Sequence, residues 1–369
     1  MNGVNGINSD PKYRLYFDDD EDSEVDETQS EWHEMVTAPL LTHSVLQKFN
    51  SAPQFGEPIF KGTSLLPQSE ESVSPFVSYG GLGRVIKQYG SNSTPDMTTD
   101  IIYMNTNAPS TTMICGVQGS GKSHTVSVII ENSLIKAGEL GLLPEPLSVV
   151  VFHLGAAQGG MHLPCESAFL QNPSNPGTKR FKIPVRVLAS PSNLTKMKAV
   201  YATTGAQVVP FYLSTRDLNS SRMFGLMHVT DDGDVPLYIQ VVQQILRDMG
   251  HDAFNYQRFK QEIANCREFT PQQKGPLDLR IKLLEAMLLE CHPKAVAERV
   301  KSVKQHFEKG VLTIVDLTDP YINASTASAL FDIALSLYLE TPIPSGKLLV
   351  LDEAHKVSPY IQSNANSSI

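Results

Sequence analysis

Residues 116–123 read Gly-Val-Gln-Gly-Ser-Gly-Lys-Ser, a match to G-x-x-x-x-G-K-[ST], and no other stretch restricts the fold of this chain as tightly. Glycines at this spacing let the backbone curl until successive N–H groups point inward at an anion. A helix starting where the loop ends adds the positive end of its dipole and its unpaired N–H groups. The flanks are those the motif needs. Thr111 to Gly116 (TTMICG) has the pattern of a short buried strand. Val126, Ile129, Ile130 and Leu134 then fall at helical spacing, with Gly138 placed to end the helix. Gly116, Val117, Gln118, Gly119, Ser120, Gly121, Lys122, Ser123 and His124 are therefore the candidate nucleotide-binding residues. Lys122 is expected to bridge the β and γ phosphates, and the Ser123 hydroxyl to ligate Mg2+. A glycine-rich turn without a ligand is the plainer reading of the same residues.

A β/α rhythm continues beyond the loop. LSVVVFHLG (147–155) is a continuous apolar run, as expected of a parallel strand covered on both faces. PVRVLAS (184–190) and QVVPFYLS (207–214) read as further strands, the second carrying a proline that favours an edge or a bulge. Between 236 and 310 the periodicity turns helical. Tyr238, Val241, Val242, Ile245, Leu246 and Met249 form one apolar stripe; Ile281, Leu284 and Leu288 form another, and Val296, Val300, Val303 and Phe307 a third. Strand and helix then return with VLTIVDL (311–317), a helix bearing Ala327, Leu330, Phe331, Ala334, Leu335 and Tyr338 on one face, and the strand KLLVLDEAH.

That last strand supplies the second chemical element. An apolar run, Leu348 to Leu351, delivers Asp352 at its end, where a carboxylate can hold the Mg2+ shell. Glu353 is placed to orient and polarise an attacking water as the catalytic base beside Lys122. A capping carboxylate after a core strand is the alternative. Asp316 and Asp319 in VDLTDP read as turn and helix-entry residues, and His153 as a satisfied structural histidine. His162/Cys165 and Cys291/His292 form no metal-ligand spacing with a partner motif. Arg216, Arg222 and Arg299 are each able to act as a finger on a neighbouring site, and nothing in the sequence singles one out.

With 369 residues the chain exceeds the usual size of one core, which implies one large domain with an insertion, or two domains, plus tails. The net charge of -9 is local. Residues 1 to 40 hold eleven acidic and two basic side chains, and the remainder is neutral. The run DDDEDSEVDETQSE is expected to stay solvated, with Trp32 and Met35 as its only candidates for partner binding. A neutral remainder gives no overall basic footprint for nucleic acid. There is no secretory signal pattern and no apolar run of membrane-spanning length, and four scattered cysteines fit a reducing compartment, so cytosol or nucleus is expected. The expected organisation is an acidic disordered tail (1–45), a loosely structured lead-in (46–100), a first core part (101–235), a helical insertion (236–310), a second core part (311–356) and a polar tail (357–369).

GVQGSGKS, a long helical insertion, the VDLTDP strand and LLVLDEAH, in that order, resemble the HerA–FtsK class of P-loop ATPases, over about residues 101 to 356. The likeness is nearest to HerA-like DNA translocases and type IV secretion motors. It implies an α/β fold with a RecA-like core and mostly parallel sheet, a homo-oligomeric ring, and Mg2+-dependent ATP hydrolysis that moves DNA or another polymer. Carried over, Lys122 and Ser123 take the phosphate and magnesium roles, Asp352 the magnesium shell and Glu353 the base. DEAH-box helicases share the two motifs, but usually at about half this spacing and with an S-A-T triplet that is absent here. A regulatory or degenerate nucleotide-binding module is the further alternative. No N-K-x-D motif reads guanine, which counts against a GTPase. In the family the strand between the P-loop strand and the Asp-Glu strand follows Asp-Glu in sequence. KVSPYIQSNANSSI is too polar to supply it, so the chain is expected to be a fragment that binds nucleotide and turns it over poorly.

Overall fold

The computed structural model describes residues 34–51, 76–87, 100–138, 141–155, 162–172, 182–227, 238–250 and 254–352. The acidic run with Trp32, the stretch 88–99 and everything from Glu353 onward lie outside the described residues. At the centre is a five-stranded, all-parallel sheet, and the fold is α/β. Its strands are β5 (Ser148–His153), β6 (Val185–Ala189), β7 (Gln207–Pro210), β8 (Leu312–Asp316) and β9 (Lys347–Leu351), in the order β7-β6-β8-β5-β9. All of β5 and β8 is buried, as a sheet covered on both faces requires. The proline-bearing β7 lies at one edge, where a missing N–H costs no ladder bond.

Alternation along the strands splits the core in two. Val150, Phe152, Leu188 and Val315 face one side, against α9 (Ala324–Glu340) and the helices of the insertion. Those helices include α5 (Tyr238–Met249), α6 (Tyr256–Asn265) and α7 (Pro271–Glu285). Tyr338 on α9 donates to the carbonyls of Ser148, at 2.6 Å, and Leu348, at 3.3 Å, and so ties the helix to both β5 and β9. Val149, Val151, Val185, Val187, Leu312 and Ile314 face the other side. There they meet α2 (Lys122–Leu134), the 3-10 turn Glu166–Gln171 and α3 (Leu194–Val200). Among the described residues no helix is long and apolar enough to cross a membrane.

Three expectations need correction. A second, antiparallel sheet draws one strand from the stretch read as a disordered tail (1–45), one from the loose lead-in (46–100) and two from the first core part. It consists of β1 (Leu40–Thr42), β2 (Tyr79–Arg84), β3 (Ile101–Asn105) and β4 (Gly141–Leu142), in the order β1-β3-β2-β4, with α1 (His43–Ser51) beside β1. β2 reads YGGLGR and bulges between Gly81 and Gly83, so it shows no alternation in the sequence. Its glycines serve contact instead: a Cβ on Gly80 would lie 2.5 Å from Cβ of Asn132 on α2. With that space open, Asn132 Nδ2 donates to the Gly81 carbonyl at 2.9 Å.

Thr111 to Gly116 is not a strand. It is largely exposed, with Met113 at 88%. Met113 and Ile114 are the only large apolar side chains in the run, too little area to hold it on a sheet. The third helical stripe is also broken. α8 spans only Lys294–Ala297, and a fresh 3-10 turn begins at Val303 under a capping box formed by Ser302 and Gln305. Val303 and Phe307 are nonetheless buried, so the sequence placed these side chains inside while misjudging the backbone.

That turn carries a second buried polar group. His306 is 4% exposed, and neither ring nitrogen has a hydrogen-bond partner among the described residues. Burial, with Arg186 and Lys301 nearby, pushes its pKa down to about 4. In the unfolded chain the ring would titrate near 6.5, so between these values the unfolded state binds the extra proton. The fold's preference for neutral His306 is then fully present above about pH 6.5 and is lost as pH falls toward 4. His306→Leu should remove about 2 kcal/mol of the stability difference between pH 7 and pH 5. Urea unfolding at the two pH values measures it, and an unchanged difference would rule out this origin.

Candidate functional site

Parallel register aligns the C-terminal ends of the strands. Ala189 pairs with Asp316, and Asp316 with His153. Phe152 pairs with Leu351, and its carbonyl accepts from the Asp352 N–H at 3.0 Å, which sets Asp352 beside His153. Side chains two residues apart share a face, so Asp316, His153 and Asp352 all emerge on the side covered by α2. This is the edge at which open parallel α/β sheets take their ligands.

The three polar ends are bound into one network. His153 Nδ1 lies 2.8 Å from Asp352 Oδ2. The Cys165 thiol, on the approach to the 3-10 turn, points at the same oxygen from 3.7 Å. Tyr201, just past α3, donates to Asp316 Oδ2 at 2.6 Å and accepts from the Cys165 N–H at 3.0 Å. The other oxygen of Asp316 accepts from the Thr318 N–H at 3.0 Å, and the Thr318 hydroxyl accepts from the Gly155 N–H at 2.8 Å. Burial, and then the Asp352 carboxylate, drives the Cys165 thiol pKa up. Burial and the Asp316 charge do the same for Tyr201. Both side chains are therefore neutral donors that hold carboxylates without adding charge.

The glycine-rich loop leads into α2, which packs on the same face of the sheet. α2 starts at Lys122 with Gly121 as its N-cap, and no side chain caps it. Gly119 and Gly121 have φ of 80° and 90°, left-handed values that disfavour any side chain. A Cβ on Gly116 would lie 2.4 Å from the Ser120 hydroxyl, so any larger residue there would make the Ser120 side chain move. The Ser120 N–H donates to the Val117 carbonyl at 3.2 Å, and Lys122 Nζ donates to the same carbonyl at 3.0 Å. Gly116 to Gly121 and His124 are exposed, and Ser123 is half-buried. An uncapped helix N-terminus, left-handed glycines and an ammonium folded over the loop together fit a phosphate group.

No family model matches this chain, and no curated protein does. Its chemistry must be argued from the residues alone.

Other candidates fall elsewhere. Asp319 accepts from the Ser192 hydroxyl and from the Tyr321 N–H, as a turn residue would. Asp316 was also read as a turn residue and does make such a bond, but it belongs to the row as well. Arg222 is tied to Glu340, Ser336 and the Asp217 carbonyl. Arg216 and Arg299 line a cavity of about 500 Å3. Cys291 is exposed, and His292 packs on Tyr212 with ring centroids 4.7 Å apart. Glu353 lies outside the described residues.

The grouping of His153 with Cys165 and Asp352 was not read from the sequence. A signal existed, because VVVFH, LTIVD and LLVLD are apolar runs of equal length that each end on a polar residue. In-register parallel pairing then brings those ends together. Nothing in the sequence marks Cys165.

The network predicts a measurable cost. Tyr201→Phe keeps the packing but leaves the buried Asp316 Oδ2 short of a donor, which should destabilise the fold by about 1 to 3 kcal/mol. Denaturant unfolding measures it, and an unshifted midpoint would mean that another donor replaces the hydroxyl.

Proposed function

We propose that this chain binds a nucleoside triphosphate with Mg2+ at Gly116 to Ser123, as the ATP-binding core of a RecA-like P-loop ATPase of the HerA–FtsK type. One observation carries the reading. A glycine loop able to hold phosphate opens a helix on the same face of a parallel sheet as Asp352, at the C-terminal edge of that sheet. In this reading the loop N–H groups and the start of α2 hold the phosphate oxygens, and Lys122 leaves the Val117 carbonyl to bridge the β and γ phosphates. Ser123 and Asp352 would hold the metal, the Ser123 hydroxyl as a ligand and the Asp352 carboxylate toward its shell. When bound, Mg2+ would neutralise charge that develops on the phosphates. Glu353 orients the attacking water and takes its proton. His153 and Cys165 fix the rotamer of Asp352 through its Oδ2. By the same resemblance, the protein assembles as a homo-oligomeric ring in the cytosol or nucleus and moves DNA or another polymer.

A second reading has its own support. Thr111 to Gly116 does not join the sheet, so the loop is anchored only through α2 and its spacing from Asp352 is less tightly fixed. That favours a module that binds nucleotide without turnover.

Titration with a fluorescent ATP analogue in Mg2+ should show saturable binding. Lys122→Ala should weaken it roughly 10- to 100-fold, the loss of a charged hydrogen bond. Phosphate release measured with and without DNA separates the two readings. Turnover stimulated by DNA supports the motor, and background turnover with intact binding supports the regulatory module. Binding that is absent, or indifferent to Lys122→Ala, overturns both.

A further inference from the structure

His153, Cys165 and Asp352 each offer one ligand atom, and these atoms all lie within 4.8 Å of one another. We propose that they form a binding site for a borderline-soft divalent cation, Zn2+ in the first instance, and the proposal stands independently of nucleotide binding. The donors come from three separate elements: the end of β5, the approach to the 3-10 turn Glu166–Gln171, and the residue that follows β9. Sheet register, burial and the Tyr201 bridge set their positions, so the group is not a chance meeting of surface side chains.

The donor set itself selects the ion. An imidazole, a carboxylate and the thiolate that Cys165 becomes when the ion displaces its proton to solvent form a mixed N, S and O set typical of zinc. Mg2+ prefers an all-oxygen octahedron and has no use for the sulfur. In a tetrahedral zinc site neighbouring donors lie roughly 3.3 to 3.6 Å apart. The thiol–carboxylate separation of 3.7 Å already matches. The imidazole–carboxylate separation of 2.8 Å needs to open by about half an ångström, from hydrogen bond to shared metal.

Surroundings complete the design. The Tyr201 hydroxyl accepts from the Cys165 N–H while it donates to Asp316, and so holds the thiol's backbone in place. Outer partners of this kind orient metal ligands. Cys165 and His153 are buried, but the Asp352 side chain is 31% exposed. An ion can therefore enter past the carboxylate, and a water can fill the fourth position from that side. Because Asp352 also belongs to the proposed Mg2+ shell, Zn2+ here would withdraw it from that role.

Cobalt titration tests the site without any nucleotide. In the full chain with Cys115→Ser, Cys266→Ser and Cys291→Ser, Cys165 is the sole thiol. Stoichiometric Co2+ should then give the near-ultraviolet thiolate-to-cobalt charge-transfer band with the visible bands of tetrahedral cobalt, and Zn2+ should bleach both. Adding His153→Ala should weaken Co2+ binding by at least roughly tenfold, and adding Cys165→Ser should abolish the charge-transfer band. Lys122→Ala should leave the spectrum unchanged, so failure here and failure of the nucleotide reading are distinguishable. No band in the single-thiol protein, or a band that persists after Cys165→Ser, overturns the proposal.

Discussion

In-register parallel pairing of β5 with β8 and β9 is the constraint on which the rest of this molecule depends. Each strand is an apolar run that ends on a polar residue, and pairing without slippage puts His153 between Asp316 and Asp352. A shift of one residue would turn every side chain of a strand to the opposite face. Val150 and Phe152 would then exchange places with Val149 and Val151, and the polar ends would part. Burial of β5 and β8 on both faces is thus what makes the register specific. The network is a consequence of hydrophobic packing several residues away.

The glycine loop is positioned by different means. The run before it forms no strand, so its location comes from α2 alone. That helix lies between two sheets. Ile130 and Leu134 pack on the β5 side, while Asn132 reaches the β2 backbone through the space left by Gly80. The antiparallel sheet therefore acts as a backing plate that presses the loop-bearing helix onto the parallel one. Glycines in β2 weaken it as a strand, and the close approach of α2 is what they supply in return.

Much of the parallel core was legible in the sequence, because buried strands and amphipathic helices carry their own periodicity. β5, β6, β8, β9, α5 and α9 fall where the apolar pattern puts them, and Pro210 marks an edge strand as expected. The failures share a cause. β2 has almost no apolar side chains to alternate. Val300, Val303 and Phe307 share helical spacing although a capping box starts a new turn between them. TTMICG resembles a strand by composition and lacks the apolar area to become one. His153 and Asp352 were individually visible as polar strand ends, Cys165 was not, and the contact of the three is tertiary. Only the register shows it, and register is not a local property.

Two carboxylates stand at the ends of the strands that flank β5, and their surroundings assign them different tasks. Asp316 is 1% exposed, and its oxygens accept from Tyr201 and from the Thr318 N–H. A carboxylate so enclosed and so supplied with neutral donors is held for structure, since any ligand would have to displace buried hydrogen bonds. Asp352 is a third exposed on its side chain and is held by His153 and Cys165 on its inner side. Both residues close apolar strands and are equivalent on the page of a sequence, although β8 is wholly buried and β9 is an edge strand of mixed exposure. What separates them is access: of these two carboxylates Asp352 is the one that chemistry at this edge of the sheet can reach, and Asp316 keeps the row in place.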